Sequence, residues 1–372
     1  MNRLLTAILF VLLTSLASAQ QGVYFPGAWP AWEKVSPVAA GIDAKRLELA
    51  VQFAQQNFDR DGGFDPSREP YGETVGPTKP PSGMNGLILI GGRIATEWGD
   101  TREVDMTFSV TKTYLSTTAG IAFDDGRIRD VHDPVRDYVQ DGSFDVAHNR
   151  AITWQQLLNQ TSGWEGTLWG KPDWADRYVK QRRASEQPGE HWRYNDVRVN
   201  QLALSLLQVF REPLPRVLKS RIMDVIGCSP TWRWHGYENS WVTVDGLKMQ
   251  SVSGGGHWGG GMFISSRDHA RFGLLMLRKG KWRDRQLLSE RWIEMAMQPT
   301  PQQPTYGYMN WFLNTEQQQQ FASAPVGDVF FLGAGTNMVW LCPSQDMVVV
   351  VRWLQRQQVD AFCQKVLAAF DS

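Results

Sequence analysis

A serine and a lysine three positions apart, Ser109 and Lys112, form a pair of residues in this chain that could carry out chemistry. If a helix begins at Ser109, the two side chains lie one turn apart on the same face. A serine hydroxyl is a weak nucleophile at neutral pH and needs a base, and a lysine can be that base if burial lowers its pKa. The same spacing also suits an ordinary polar stripe on a surface helix, because it arises by chance about once in a chain this long.

Tyr194, in the stretch "HWRYNDVRVN" just before a helical pattern, offers a second proton acceptor. A tyrosine held near a lysine ammonium can act as a base, since the cation stabilises phenolate. Taken alone, Tyr194 is better explained as a structural residue with a satisfied hydroxyl. It gains meaning only together with Ser109 and Lys112.

Several other catalytic arrangements are absent from the sequence. It has no Gly-x-Ser-x-Gly nucleophile elbow, no His-Glu-x-x-His motif and no Gly-x-x-x-x-Gly-Lys phosphate loop. The histidines at positions 132, 148, 191, 235, 257 and 269 show no metal-ligand spacing. The sequence therefore predicts neither a metal nor a cofactor.

Composition narrows the class of partner. Lysine plus arginine equals aspartate plus glutamate at 38 each, which gives no support for nucleic acid or an anionic membrane as a partner. The cysteines, Cys228, Cys342 and Cys363, are too few for a disulfide framework, although one bridge between Cys342 and Cys363 could form in an oxidising compartment. Core packing accounts for most of the 17 tryptophans, and a minority could line a substrate cleft or, in a third interpretation, a glycan-binding surface.

The elements that must position these residues can be read from hydrophobic periodicity. Helices are predicted over residues 43–58 and 359–370, with a mainly helical block over 107–240. Strands are predicted near both ends of the chain, over residues 86–99, 259–266, 336–343 and 346–354. This order predicts one sheet built from both termini with a helical lobe beside it, and the cleft between the lobes is the expected site.

The stretch "MNRLLTAILFVLLTSLASAQ" has the positive start, apolar run and small residues of an export signal. We expect residues 1–19 to be the signal peptide and the protein to be exported, periplasmic or secreted, without stable membrane insertion; an uncleaved anchor is the alternative. Residues 20–372 are predicted to form a single domain. Its α/β lobe would comprise about 20–106 and 245–372, and its helical lobe about 107–244.

Five segments, which follow one another along the chain in the order found in the family, resemble the serine hydrolases related to class C β-lactamases, which include DD-peptidases, penicillin-binding esterases and 6-aminohexanoate-dimer hydrolases. "SVTK" (Ser109 to Lys112) matches the Ser-x-x-Lys motif that opens the central helix of that family, and "YND" (Tyr194 to Asp196) sits where the family has Tyr-x-Asn. The segments "HDPVRDYV", "ITWQQLLNQTSGW" and "GGGMFISSRDHARFGLLML" resemble the family's connecting segments. The similarity covers about residue 40 to the C-terminus.

The resemblance implies an α/β (α+β) fold of the β-lactamase/transpeptidase type, with an antiparallel sheet flanked by helices and an inserted helical lobe. It also implies that Ser109 forms an acyl-enzyme, with Lys112 and Tyr194 as the general base and acid pair. The backbone N–H groups of Ser109 and Ala334 would form the oxyanion hole.

The sequence departs from the family at two positions. The third motif, Lys/His-Thr/Ser/Gly-Gly, aligns with Phe331-Leu332-Gly333, which has no cation, and Asp196 replaces the asparagine. Both changes argue against penicillin as the natural substrate. Asp196, His257, Trp258 and Gly333 are expected to contact substrate, and His257 is a candidate replacement for the missing cation.

We therefore expect an exported serine hydrolase acting on a small-molecule ester, amide or peptide, with an esterase or amidase more consistent with the sequence than a true β-lactamase. The alternative, from a different class, is a catalytically silent penicillin-binding-like module that holds a peptide or cell-wall fragment. The intact Ser-x-x-Lys motif favours the enzyme, and the altered third motif favours the binding module.

Overall fold

The structure is a computed structural model that describes residues 23–62, 73–175 and 186–371. The predicted signal peptide, residues 1–19, lies outside the described residues. The helices are α1 (Ala44–Gln56), α2 (Thr111–Asp124), α3 (Trp154–Leu158), α4 (Asp196–Phe210), α5 (Leu214–Leu218), α6 (Ser266–Leu277), α7 (Glu290–Ala296) and α8 (Val359–Leu367). The strands are β1 (Asn85–Ile90), β2 (Arg93–Trp98), β3 (Val104–Met106), β4 (Thr167–Leu168), β5 (Lys171–Pro172), β6 (Arg233–Val244), β7 (Leu247–Val252), β8 (Gly261–Ser265), β9 (Lys281–Trp282), β10 (Arg285–Gln286), β11 (Tyr306–Gly307), β12 (Asn310–Trp311), β13 (Val329–Gly333), β14 (Asn337–Cys342) and β15 (Met347–Arg352).

The main sheet has seven antiparallel strands in the order β11-β12-β13-β14-β15-β1-β2. β1 and β2, from the N-terminal part of the chain, pair with β15 near the C-terminus, which confirms a sheet built from both termini. Gly91 and Gly92, with φ of 58° and 81°, make the tight turn of the β1–β2 hairpin. The predicted hairpin near residues 336–354 is β14–β15.

Alternation along the strands separates two apolar layers. Leu87 and Leu89 of β1 face the larger core, while Ile88 between them faces the cluster that includes residues of α1 and α8. α6 packs against β14 and β15, and α2 packs against α4, α5 and α7. The contacts with these three helices enclose α2, which explains why nearly all of its side chains are buried.

The predicted helical block over residues 107–240 extends too far along the chain, because its last residues form a strand. β6 begins at Arg233 and forms a sheet in the order β3-β8-β6-β7, so the boundary placed at residue 244 divides the β6–β7 hairpin. β6 has a register shift between Gly236 and Trp241, which breaks the strict alternation that would have identified the strand. No helix in the described residues is both long and apolar enough to cross a membrane.

Candidate active site

Ser109 lies on a short 3-10 turn, Phe108–Val110, directly before α2. Lys112 is in the first turn of α2, and its Nζ donates a hydrogen bond of 2.8 Å to Ser109 Oγ. Ser109 is partly exposed, whereas the Lys112 side chain is 1 % exposed. The pair is therefore an open hydroxyl supported by a buried ammonium, which differs from a polar stripe on a surface helix.

The buried amine of Lys112 has further partners. Nζ lies 2.7 Å from Asp196 Oδ1 and 3.3 Å from the Gly254 carbonyl oxygen. With Ser109 Oγ, these give an acceptor for each of the three protons of an ammonium. The Tyr194 ring is also close, with its centre 5.0 Å from Nζ.

The start of α4 brings Tyr194 and Asp196 to this lysine. Asn195 is the N-cap, and its side chain accepts a hydrogen bond from Arg198 N while its own N–H donates to Gln160 Oε1. Asp196 follows as a buried residue whose Oδ2 accepts a 3.0 Å hydrogen bond from the backbone N–H of His257. Asp196 was expected to contact substrate, and the structure shows its carboxylate buried against Lys112 and His257.

The glycine-rich segment before β8 fits around Asp196. A Cβ at Gly256 would lie 1.8 Å from Asp196 Oδ2, so only glycine allows this approach. His257 Nε2 lies 3.4 Å from the same oxygen, and burial lowers the pKa of His257 to about 4. Burial thus disfavours the charged form of His257, which counts against this residue as the replacement for the cation missing from the third motif. Trp258 was also expected at the cleft, but it is wholly buried with the Lys171 ammonium 5.0 Å from its ring centre.

β13 ends beside the nucleophile. A Cβ on Gly333 would lie 2.3 Å from the Thr107 carbonyl oxygen and 3.1 Å from Ser109 N, which places the two backbones in direct contact. Ala334 follows and is partly exposed, and its carbonyl accepts a 2.7 Å hydrogen bond from Asn337 Nδ2. The backbone N–H groups of Ser109 and Ala334 therefore belong to two segments that touch at Gly333, as an oxyanion hole requires.

The other positions of the third motif turn away from the site. Phe331 is fully buried and its ring centre lies 6.0 Å from that of Phe272, while Leu332 is buried in the opposite layer. These side chains are part of the two cores. Among the described residues, no cluster of histidine, cysteine, aspartate or glutamate could hold a metal ion.

An aromatic group beside Tyr194 was not predicted from the sequence. The Tyr194 ring stacks on Trp311 with centres 5.8 Å apart and planes at 27°, and Trp192 and Tyr306 complete the group. Trp192, Tyr194 and Trp311 are partly exposed, and the buried Tyr306 hydroxyl accepts a 2.7 Å hydrogen bond from Gln160 Nε2. The tryptophan content hinted at such a surface, but only the fold shows which tryptophans reach the site. We call these four residues the aromatic wall.

Comparison with known proteins agrees with this geometry. The sequence profile of the family described as Beta-lactamase matches residues 83–361, while a search of curated proteins finds no match. Similar solved structures include a putative 6-aminohexanoate-dimer hydrolase from Bacillus anthracis, with a TM-score of 0.56 and 16% identity over 86% of this chain and 92% of that chain. A penicillin-binding protein homolog from Caulobacter crescentus has a TM-score of 0.61 and 13% identity over 88% and 98% of the two chains. EstCE1, a hydrolase with promiscuous acyltransferase activity, has a TM-score of 0.59 and 18% identity over 88% and 99%. These matches confirm the resemblance and the fold predicted from the motifs.

Proposed function

The chain belongs to the beta-lactamase family, and on that premise we propose that it is a serine hydrolase that cleaves an ester or amide through an acyl-enzyme on Ser109. The observation that carries the proposal is the 2.8 Å contact between Lys112 Nζ and a partly exposed Ser109 Oγ. Membership of the family supports serine hydrolase activity in general. The residue roles, the substrate and the location of the protein are our own extension.

We propose that Lys112 and Tyr194 handle the proton together. The Asp196 carboxylate, 2.7 Å away, compensates a positive charge on Lys112, and a cation 5.0 Å from the Tyr194 ring centre favours phenolate. Ser109 Oγ attacks the carbonyl carbon, and its proton passes to this pair and then to the leaving group. Water next attacks the acyl carbon and gives its proton to Tyr194. That proton passes to Ser109 Oγ as the bond between Oγ and the acyl carbon breaks, which releases the acid and free Ser109. The N–H groups of Ser109 and Ala334 stabilise the oxyanion in both steps.

The surroundings of Ser109 favour a neutral substrate with an apolar group. The charge of the buried Lys112 is already neutralised by Asp196. The third-motif positions hold the buried Phe331 and Leu332 in place of a cation. A substrate carboxylate therefore lacks the partner that the family provides there, whereas the aromatic wall offers apolar surface beside Tyr194. EstCE1, which shares the fold, is described as a hydrolase with acyltransferase activity, which is consistent with an ester substrate.

The proposal is tested with a fluorophosphonate probe and a panel of acyl substrates. We expect the probe to label Ser109, located by mass spectrometry, and Ser109→Ala to abolish both labelling and turnover while leaving the circular dichroism spectrum unchanged. We expect kcat/KM for short-chain aryl esters to exceed that for benzylpenicillin by orders of magnitude. Labelling that persists elsewhere in Ser109→Ala would remove the central claim.

The altered third motif also supports the second candidate, a catalytically silent module that binds a peptide or cell-wall fragment. Phe331 and Leu332 fill the cores where the family would have side chains that recognise substrate. A wild-type protein that binds such fragments without labelling at Ser109 or hydrolysing any ester would favour this function.

We further propose that the protein is exported, on the signal-like character of residues 1–19. N-terminal sequencing of the protein recovered from outside the cytoplasm should begin near residue 20. A mature protein that retains Met1 would contradict cleavage.

A further inference from the structure

Trp353 lies behind both backbone segments of the oxyanion hole. It follows β15 directly, is fully buried, and belongs to a small cluster with Met106, Phe108 and Phe263. Ala334 packs against this cluster. One side chain is therefore in contact with residues adjoining Ser109 and Ala334.

On the nucleophile side, Trp353 is connected to the segment that leads into α2 at two points. Its Nε1 donates a 3.0 Å hydrogen bond to Oδ2 of Asp105, a fully buried residue of β3. Its ring meets that of Phe108 edge to face, with centres 6.1 Å apart and planes at 89°. Phe108 directly precedes Ser109 and has φ of 49°, a left-handed conformation that a non-glycine residue holds only when its surroundings enforce it.

On the other side, the six-membered ring of the indole supports the turn after β13. A Cβ at Gly335 would lie 2.5 Å from Cε3 and from Cζ3 of Trp353, so the backbone of Gly335 rests directly on the ring. Gly335 has φ of 66° and follows Ala334, whose N–H is the second donor of the oxyanion hole. The position of Ala334 therefore depends on the distance that the indole keeps between this turn and Phe108.

We propose that Trp353 is a positioning residue that fixes the separation of the Ser109 and Ala334 N–H groups. This inference rests on the proposed acyl-enzyme function. Donors stabilise an oxyanion only when they are held where the charge develops, so a small displacement affects the transition state more than the bound substrate. Loss of Trp353 should lower kcat with little change in KM.

The chain offers a matched control in Trp340 of β14. Trp340 is also fully buried, donates Nε1 to a carboxylate (2.6 Å to Asp328 Oδ2), and stacks on a phenylalanine, Phe330, with ring centres 5.7 Å apart. It belongs to the core that includes residues of α1 and α8, and not to the cluster that contains Trp353. Trp353→Phe and Trp340→Phe each remove an indole N–H and replace a buried indole with a smaller ring. Only Trp353→Phe is expected to change the position of the oxyanion hole.

The experiment measures kcat, KM and the inhibition constant of an alkyl boronic acid, which mimics the tetrahedral intermediate, for both variants, together with urea unfolding. We expect Trp353→Phe to lower kcat by about tenfold or more and to weaken boronic acid binding in parallel, with KM within about twofold. Trp340→Phe should lose stability but keep the kcat of the wild type. If Trp353→Phe does not fold, Phe108→Leu removes the same ring contact from the nucleophile side. That variant should likewise lower kcat while leaving KM nearly unchanged.

The outcomes separate the inference from the function on which it rests. Unchanged kcat in a folded Trp353→Phe, or equal losses of kcat in both tryptophan variants, would overturn the positioning role alone. A wild-type protein that is neither labelled at Ser109 nor active on any ester would overturn the proposed function, and the positioning role with it.

Discussion

The ammonium of Lys112 is enclosed by Ser109 Oγ at 2.8 Å, Asp196 Oδ1 at 2.7 Å and the Gly254 carbonyl oxygen at 3.3 Å. Taking a cation out of water is costly unless a counter-charge and hydrogen bonds replace the solvent. Asp196 supplies that counter-charge at the position where the family has asparagine. In this chain the residue thus balances Lys112, whereas the sequence alone suggested a negative charge facing the substrate.

Asp196→Asn tests this role through stability. The change leaves the buried Lys112 without a counter-charge, so we expect the free energy of unfolding to fall by about 3 kcal/mol. Adding Lys112→Met, which removes the charge and keeps a chain of similar length, should recover most of that loss. The measurement is urea unfolding at neutral pH. Asp245→Asn, which breaks the exposed pair with Arg211, serves as the control and should cost less than about 1 kcal/mol.

A double-mutant cycle tests whether Lys112 and Tyr194 act as one unit. We expect Lys112→Ala and Tyr194→Phe each to lower kcat by at least about a hundredfold, because each removes part of the proposed proton-transfer pair. The double variant should be little worse than either single one. The cycle is measured with an aryl acetate on variants whose circular dichroism matches the wild type. Fully multiplicative losses would mean that the two residues work separately, and wild-type rates in Tyr194→Phe would leave Lys112 as the sole base.

The sequence predicted those site residues that lie close to one another in short motifs. Ser109 lies on the turn that leads into α2 and Lys112 lies in the first turn of α2, while Tyr194 and Asp196 flank one N-cap, so short stretches of sequence predict their proximity. The Gly254 carbonyl oxygen and Trp311 were missed because they reach the site only through long-range packing. For the same reason, the burial of Trp258 was not evident from its glycine-rich surroundings.

At the scale of elements, the site depends on the end of β13 meeting the turn before α2. β13 is held in register by five residue pairs with β14, from Val329 with Leu341 to Gly333 with Asn337. The last of these pairs brings Gly333 against Thr107 and Ser109. The absence of a side chain at Gly333 therefore sets how closely the strand can approach the nucleophile.

Gly333→Ala should disrupt this contact. The added Cβ would lie 2.3 Å from the Thr107 carbonyl oxygen, which should force β13 away from Ser109 and separate the two proposed oxyanion donors. We expect kcat to fall by about a hundredfold or more, as for loss of an oxyanion-hole donor. Gly246→Ala is the control, since Gly246 lies in the β6–β7 turn with φ of 78° and a Cβ added there would have no atom within 4 Å. That variant should lose about 1 kcal/mol of stability to backbone strain while keeping its kcat. Full activity in Gly333→Ala would show that catalysis does not depend on the close approach of β13 to Ser109.

Elements defined by local signals agree with prediction. The helix at residues 43–58 is α1, where the Asp43 side chain caps the N-terminus by accepting from Lys45 N and Arg46 N. The β1–β2 and β14–β15 hairpins follow from short turns between apolar runs. β3 was missed because it has only three residues, and β6 was missed because the register shift between Gly236 and Trp241 breaks its alternation.

At the scale of the whole molecule, the two apolar layers on either side of the seven-stranded sheet account for the stability of the fold without a covalent cross-link. Cys342 and Cys363 both lie in the layer that includes residues of α1 and α8, and both are free thiols, as is Cys228. The bridge considered from the sequence is not formed. The cysteines pack as small apolar side chains, which is common for buried thiols.

Thiol counting tests this account of the whole fold. Burial raises the pKa of Cys342 to about 12 and that of Cys363 well above its usual value, so both stay protonated and unreactive in the native protein. Burial likewise raises the pKa of Cys228 well above its usual value. We therefore expect Ellman's reagent to react very slowly with the folded protein and to find all of Cys228, Cys342 and Cys363 when the protein is unfolded in guanidinium without reductant. The thermal midpoint should not change on adding dithiothreitol, because no cross-link constrains the unfolded chain. A single reactive thiol in guanidinium, with the other two appearing only after reduction, would show that two of the three cysteines form a disulfide and that the cores do not stabilise the fold alone.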